Sequence, residues 1–163
     1  MGHSFPMARA GGLFIFVMGV GVVLGALFPA RRRLLLIFGA AAATLTIVLS
    51  AARLSAPFGS PTRTQVWFLF TSIGVEILLI RVAVARYRNA GERSLLLAIL
   101  FVVGLHFLPM AIAFGPLCAV MGISLSLCSG SGLWLRPKLP LNGFWAADGM
   151  LKIGFGAMMF LFP

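Results

Sequence analysis

Long apolar runs, each about as long as a lipid bilayer is thick, dominate this 163-residue chain. A hydrocarbon core about 30 Å thick needs roughly 20 apolar residues in a helix. Cutting the chain where charge, proline or turn residues interrupt gives six runs, at 10–28, 34–52, 65–84, 94–114, 116–135 and 143–162. Since only helices and closed barrels satisfy their backbone groups in lipid, the pattern predicts an all-α, polytopic membrane helical bundle. We expect one transmembrane domain, 1–163.

The composition excludes an ordinary water-soluble fold, because 61% of the residues are hydrophobic and only 10% are charged. Typical soluble domains are about half apolar and about a quarter charged. The net charge of +10 would indicate nucleic-acid binding in a soluble protein, but here the cations lie mainly between the apolar runs. Membrane lipids are therefore the expected partners, and nucleic acid is not.

The boundary between the fourth and fifth runs is the least marked, because no charge lies between Ser94 and Leu135. Pro109 and the turn at 114–116 predict a tight hairpin of two spans. The alternative is five full spans with a re-entrant segment.

The first run is expected to remain in the mature protein. Arg9 precedes it, as a basic residue precedes the apolar core of a signal peptide, but the run is long for such a core. No small-x-small cleavage site follows, and the positive cluster Arg31-Arg32-Arg33 comes directly after the run. These features contradict a cleaved signal.

Loop charge predicts the orientation, because Lys and Arg near span ends are retained on the cytoplasmic side. The first, third and fifth loops hold eight such residues: Arg31, Arg32, Arg33, Arg86, Arg88, Arg93, Arg136 and Lys138. The N-terminus and the remaining loops hold three, which are Arg9, Arg53 and Arg63. Both termini are therefore expected outside.

Charged residues inside the runs are the strongest candidates for function, since such charges normally face the bundle interior and mark a pathway or site. Glu76 and Lys152 share a depth, each roughly 15 Å from the outer end of its helix. Asp148 and Lys152 are four residues apart on one helix face, an arrangement that favours an ion pair. We expect Arg81 to extend to the inner surface, which leaves Glu76 to approach Lys152, with His106 as a second candidate partner.

His106 in the fourth run falls at a similar level, and Pro109 removes the backbone bond to the carbonyl of Leu105. A titratable ring beside a free carbonyl at this depth resembles a proton relay or a polar ligand site. The sequence thus predicts a midplane transport or ligand-binding cluster of Glu76, His106, Asp148 and Lys152. The alternative is that these groups are only polar contacts between helices.

Cys118 and Cys128 cannot pair with each other if they share a helix, because ten residues separate them by about 15 Å along its axis. No Cys/His cluster has metal-site spacing, and no nucleotide-binding glycine loop is present, so no metal or cofactor is expected.

The cytoplasmic rim is expected to contact lipid. Arg136 and Lys138 are candidates for holding anionic head groups. Arg86, Arg88 and Arg93 should stay solvated or touch lipid phosphates without entering the bundle.

Two further features are expected to be structural. Trp134 and Trp145 suit the aromatic belts of a membrane interface. Gly21 and Gly25 permit the first helix to approach another helix closely, either within the chain or in a homo-oligomer.

The run Gly104-Leu105-His106-Phe107-Leu108-Pro109-Met110 resembles a segment of small multi-spanning bacterial membrane proteins of unknown function. The resemblance covers the C-terminal half of the chain. It implies the bacterial cytoplasmic (inner) membrane and carries no activity, substrate or cofactor.

Three classes of function follow from these features. The first is a small transporter or channel-like protein that moves protons, ions or a small solute past the charged cluster. The alternative is a non-catalytic membrane module that acts as a sensor, lipid binder or partner subunit. An enzyme ranks last, because two histidines and three acids form no recognisable catalytic set.

Overall fold

The computed structural model describes residues 5–55, 59–135 and 139–163, and within these ranges the chain is helical with no strand. The helices are α1 (Ala8–Leu27), α2 (Arg32–Ser55), α3 (Arg63–Tyr87), α4 (Glu92–Phe114), α5 (Pro116–Gly130) and α6 (Leu141–Leu161). A short 3₁₀ turn, Pro29–Arg31, precedes α2, and a π-helical segment, Ser131–Leu135, extends α5. Six helical segments are long and apolar enough to cross a membrane. The prediction of an all-α bundle is confirmed.

Local sequence explains where several of these helices begin. Thr62 caps α3: its hydroxyl accepts from the backbone N–H of Gln65, whose side chain accepts from the Thr62 N–H in return. Gly115 has a φ of 95°, which an L side chain rarely adopts, and it lets the chain reverse between α4 and α5. Pro116 then occupies the first turn of α5, where its missing N–H costs nothing. The turn predicted at 114–116 separates α4 from α5, and α4 and α5 with its π-helical extension are each long and apolar enough to cross a membrane.

Four helices form the centre of the bundle and two lie beside it. In the described residues α1 packs on α6, α6 on α5, and α5 on α4. Outside this group α2 packs on α1 and α3 packs on α4, and among the described residues no substantial contact joins α2 to α3. The two outer helices therefore expose most of their apolar side chains, as helices facing lipid do.

Glycines allow α1 and α6 to touch backbone to backbone. A Cβ atom at Gly12 would lie 2.7 Å from the Gly156 carbonyl oxygen, and one at Gly19 would lie 2.8 Å from that of Gly149. Seven residues separate the two contacts on each helix, so the same face recurs every two turns. Close approach through small residues drives helix association in lipid, where hydrophobic burial between helices gives little.

Close contacts at glycines also join α1 to α2. A Cβ at Gly21 would lie 2.9 Å from the Cα of Gly39, and Gly25 lies against the side chains of Arg32 and Trp145. Gly21 and Gly25 are thus both used for packing within the chain.

Residues at the predicted cytoplasmic ends are more buried than rim residues usually are. Trp145 is 3% exposed and packs in a core cluster with Val22 and Leu97, so assigning it to an aromatic belt was wrong. Arg32 lies over the Trp145 ring, donates to the Gly25 carbonyl at 3.3 Å and also bonds Asn142. The long aliphatic stem of arginine explains how a rim residue can be buried.

Arg93 also enters the bundle, contrary to its predicted solvation. Its Nη2 donates to the Gly132 carbonyl at 3.0 Å, and its Nε donates to the Leu139 carbonyl at 3.3 Å. The guanidinium also lies 5.7 Å from the Phe144 ring. Carbonyls at the end of α5 lack helical partners, and an arginine is well suited to satisfy them. Arg86 and Arg88 are exposed, as expected.

Candidate functional site

A cavity of about 360 Å³ lies between α1, α3 and α4, and three of the four predicted site residues line it. They are Glu76, His106 and Lys152. Each belongs to the middle turns of its own helix. The remaining lining is apolar: Gly11, Phe14, Ile15, Met18, Ile47, Leu69, Ile73, Val103, Phe107, Met110 and Phe114. Charged groups in a small cavity with apolar walls are the usual form of a ligand site.

The spacing of the lining residues explains the shape of the cavity. On α4 they fall at positions 103, 106, 107, 110 and 114, and on α3 at 69, 73 and 76. Steps of three and four residues place side chains on one helix face. His106 and Glu76 therefore face the cavity because each continues an apolar stripe.

Glu76 and His106 form a pair between α3 and α4, with Oε2 of Glu76 3.6 Å from Nδ1 of His106. The histidine side chain is 7% exposed and the glutamate side chain 21% exposed. The same Nδ1 lies 3.1 Å from the carbonyl oxygen of Ser72, one turn before Glu76. Because a carbonyl can only accept, this contact requires the proton on Nδ1. The Nε2 atom is then the unprotonated nitrogen of the neutral ring.

Lys152 and Asp148 form the predicted pair on one face of α6, with Nζ 2.5 Å from Oδ2. Lys152 is 4% exposed and Asp148 2% exposed. The second carboxylate oxygen of Asp148, Oδ1, is buried and has no hydrogen-bond partner in the described part of the chain. Lys152 thus lines the cavity with its charge already compensated, while Asp148 lies behind it.

The predicted ion pair between Glu76 and Lys152 is wrong, since none joins them in the described structure, where Glu76 pairs with His106 instead. Both residues nevertheless line the same cavity. Arg81 is exposed and does not line it. Of the two partners expected for Glu76, the structure shows His106 and not Lys152.

The cavity extends into only one half of the bundle. It runs from the level of Glu76 and Lys152 to Gly11 and Phe114, at the N-terminal end of α1 and the C-terminal end of α4. Towards the other end the described helices pack in an apolar cluster: Val22, Ala26, Leu97, Leu100, Phe144 and Trp145. Under the predicted orientation the cavity would occupy the outer half.

A second cavity, of about 550 Å³, lies at the opposite end beside the start of α2. Arg31, Arg32 and Arg33 line it together with Glu92 and several leucines. The two predicted head-group residues, Arg136 and Lys138, lie outside the described residues. Sequence reasoning used the three arginines only to orient the chain and missed the pocket that they line.

Other candidate groups contribute little to the site. Within the described ranges no group of three His, Cys, Asp or Glu side chains is placed to hold a metal ion. Cys118 is buried and Cys128 is partly buried, and both are free. Neither cysteine lines the cavity.

These features define a six-helix bundle of the membrane type, with an acid–histidine pair and a lysine facing one cavity between the helices. The chain matches, over residues 2–163, a family described as "Family of unknown function (DUF6609)", and it belongs to that family. Comparison with curated proteins and with solved structures gives no match.

Proposed function

We propose that this protein is a small membrane transporter in which the Glu76–His106 pair takes up and releases a proton as the cavity is filled and emptied. The observation that carries the proposal is the convergence of Glu76, His106 and Lys152 on one cavity. Ionisable groups in the middle of membrane helices are costly, and they commonly mark proton or substrate pathways.

The shape of the cavity favours a transporter over an open channel. It occupies one half of the bundle, and the apolar cluster with Val22 and Leu97 fills the other. A binding cavity that is closed at one end requires a conformational change before its contents can cross. The protein would therefore work by alternating access, and the membrane that we propose for it is the bacterial inner membrane.

Proton movement in proteoliposomes tests the proposal. Vesicles containing a trapped pH indicator are mixed with external small solutes of several chemical classes, and the solute-dependent change of internal pH is compared for the wild type, Glu76→Gln and Arg88→Gln. Arg88 is the matched control because it is charged, exposed and distant from the cavity. We expect proton movement in the wild type and Arg88→Gln, and the protein-free rate in Glu76→Gln. Equal rates in the wild type and folded Glu76→Gln would overturn the proposal.

A second candidate function is a lipid-binding module, and the arginine-lined cavity beside α2 favours it. The exposed guanidinium groups of Arg31 and Arg33, beside leucine side chains and with one acid, Glu92, in the lining, match a lipid phosphate with its attached chains. No acid lies in the first turn of α2, so an anion there would also complement the helix dipole.

Lipid binding is tested by native mass spectrometry with phosphatidylglycerol and phosphatidylcholine. The expected result is retention of the anionic lipid by the wild type and its loss in Arg31→Gln/Arg33→Gln. Equal retention of both lipids would contradict this second candidate.

A further inference from the structure

We infer that the occupant of the cavity lined by Glu76, His106 and Lys152 is a small organic monocation with an apolar body, bound in exchange for one proton. This inference rests on the proposed function and names its substrate class. It follows from the charges of Glu76, His106, Asp148 and Lys152 and from the apolar lining of the cavity. It also follows from the lack of substantial contact between the described parts of α2 and α3, which leaves a gap beside the cavity.

The charge of the site is unbalanced by one unit when His106 is neutral. Glu76 and Asp148 contribute two negative charges, and Lys152 contributes one positive charge. Protonation of His106 would bring the sum to zero. A bound monocation would do the same, so the proton and the cation compensate the same charge and each disfavours the other.

No other charged group offsets this balance among the residues that line the cavity. α1 and α2 contribute only apolar residues and glycine to the lining. Arg81 on α3 is exposed, and α6 contributes Lys152, already paired with Asp148. The residual negative charge is therefore at Glu76.

The walls select an organic cation over a metal ion. Hard cations require about six oxygen ligands, whereas the described lining offers few oxygens beyond the carboxylate of Glu76. Phe14, Phe107 and Phe114 contribute aromatic rings to the lining. Aromatic rings attract organic ammonium groups through cation–π interactions. The cavity volume of about 360 Å³ suits a small ligand.

Access from the bilayer is consistent with such a ligand. Ile47 of α2 and Ile73 of α3 both line the cavity, yet α2 and α3 make no substantial contact in the described part of the chain. A cation with an apolar body partitions into the membrane and could enter through this gap. A hydrophilic ion would have no comparable route between two apolar helices.

The test uses phenyltrimethylammonium and its uncharged isostere tert-butylbenzene with purified protein in weakly buffered detergent. A pH indicator reports proton release, and calorimetry reports binding. We expect roughly one proton released per bound cation in the wild type, none with tert-butylbenzene, and a loss of release in Glu76→Gln. Release should be retained in Arg88→Gln and partly retained in Glu76→Asp, which keeps the carboxylate.

A measurement without any variant keeps the inference testable if Glu76→Gln does not fold. The wild type should bind phenyltrimethylammonium more tightly at high pH than at low pH, because protons compete. Binding that is independent of pH, or equal proton release by the uncharged isostere, would overturn the inference. If Glu76-dependent proton movement in vesicles persists while phenyltrimethylammonium does not bind, the substrate class is wrong and the proposed function stands. If both are absent, both fall.

Discussion

The two helices that carry the opposite charges of the cavity are held in opposite ways. α6, with Lys152, touches the backbone of α1 at two glycine contacts and buries both members of its ion pair. α3, with Glu76, has α4 as its one substantial neighbour in the described chain, and it buries only Gln65, Ser72 and Ala83. The difference indicates that Lys152 is fixed, whereas Glu76 lies on a helix that little packing would prevent from moving.

Removal of the lysine charge from α6 should have the largest effect on stability. Lys152→Met leaves Asp148 buried and unpaired, and we expect the free energy of unfolding to fall by about 3–5 kcal/mol. Because the cost lies in the uncompensated acid, Asp148→Asn/Lys152→Met should recover much of the loss. Denaturant unfolding in detergent measures both. Additive losses in the double variant would show that the pair is not coupled.

A methyl group between α1 and α6 should have the next largest effect. At Gly156 a Cβ would lie 2.7 Å from the Gly12 carbonyl oxygen, so Gly156→Ala must push the helices apart. Overpacking of this kind costs about 1–3 kcal/mol. Gly154, two residues earlier on the same helix, has open space around it and supplies the control Gly154→Ala. Similar unfolding midpoints for the two variants would argue against the glycine contact.

The glycine comparison extends to the outer helix. Gly74 on α3 has no atom within 4 Å of the position of an added Cβ. Gly74→Ala should therefore leave the unfolding midpoint unchanged or raise it slightly, because alanine favours helix by about 1 kcal/mol. A loss as large as that of Gly156→Ala would mean that α3 is packed as tightly as α6.

Replacing the arginines at the two ends of the α3–α4 turn should change the stability of the protein least. Arg93→Gln removes two hydrogen bonds to carbonyls and should cost about 1 kcal/mol. Arg88 is exposed, and Arg88→Gln should change stability by less than about 0.5 kcal/mol. Thermal unfolding of the two variants side by side makes the comparison. Equal losses would mean that the Arg93 bonds contribute nothing.

The sequence predicts the six helices well because each needs only a long apolar run between charged or turn residues. It also identifies Glu76, His106 and Lys152, since charges are rare within spans and their depth can be counted from the helix ends. The sequence does not show in the same way which helices become neighbours, because apolar residues cover nearly every helix face. Which of the two candidate partners, His106 or Lys152, pairs with Glu76 depends on which helices pack against α3.

The predictions for Arg93 and Trp145, near span ends, were the other source of error. These two residues and Arg32 have the sequence positions of rim residues, and nothing in their local pattern distinguishes them from exposed Arg86 or Arg88. Their burial depends on unpaired carbonyls and rings supplied by other helices, which appear only when the bundle is assembled. One signal was available for the cavity: the stripe at 103, 106, 107, 110 and 114 on α4 carries a histidine among apolar residues.

The proton position on His106 gives the most direct test of the proposed proton site. The chain has two histidines, so ¹⁵N-histidine NMR in bilayers is simple to assign with a His106→Gln variant. We predict that neutral His106 carries its proton on Nδ1, because Nδ1 faces the Ser72 carbonyl. We also predict that Glu76→Gln shifts the Nδ1 resonance, because Oε2 of Glu76 lies 3.6 Å from this nitrogen. A ring that keeps its proton on Nε2, or whose Nδ1 resonance is unchanged in Glu76→Gln, would contradict a proton site shared by Glu76 and His106.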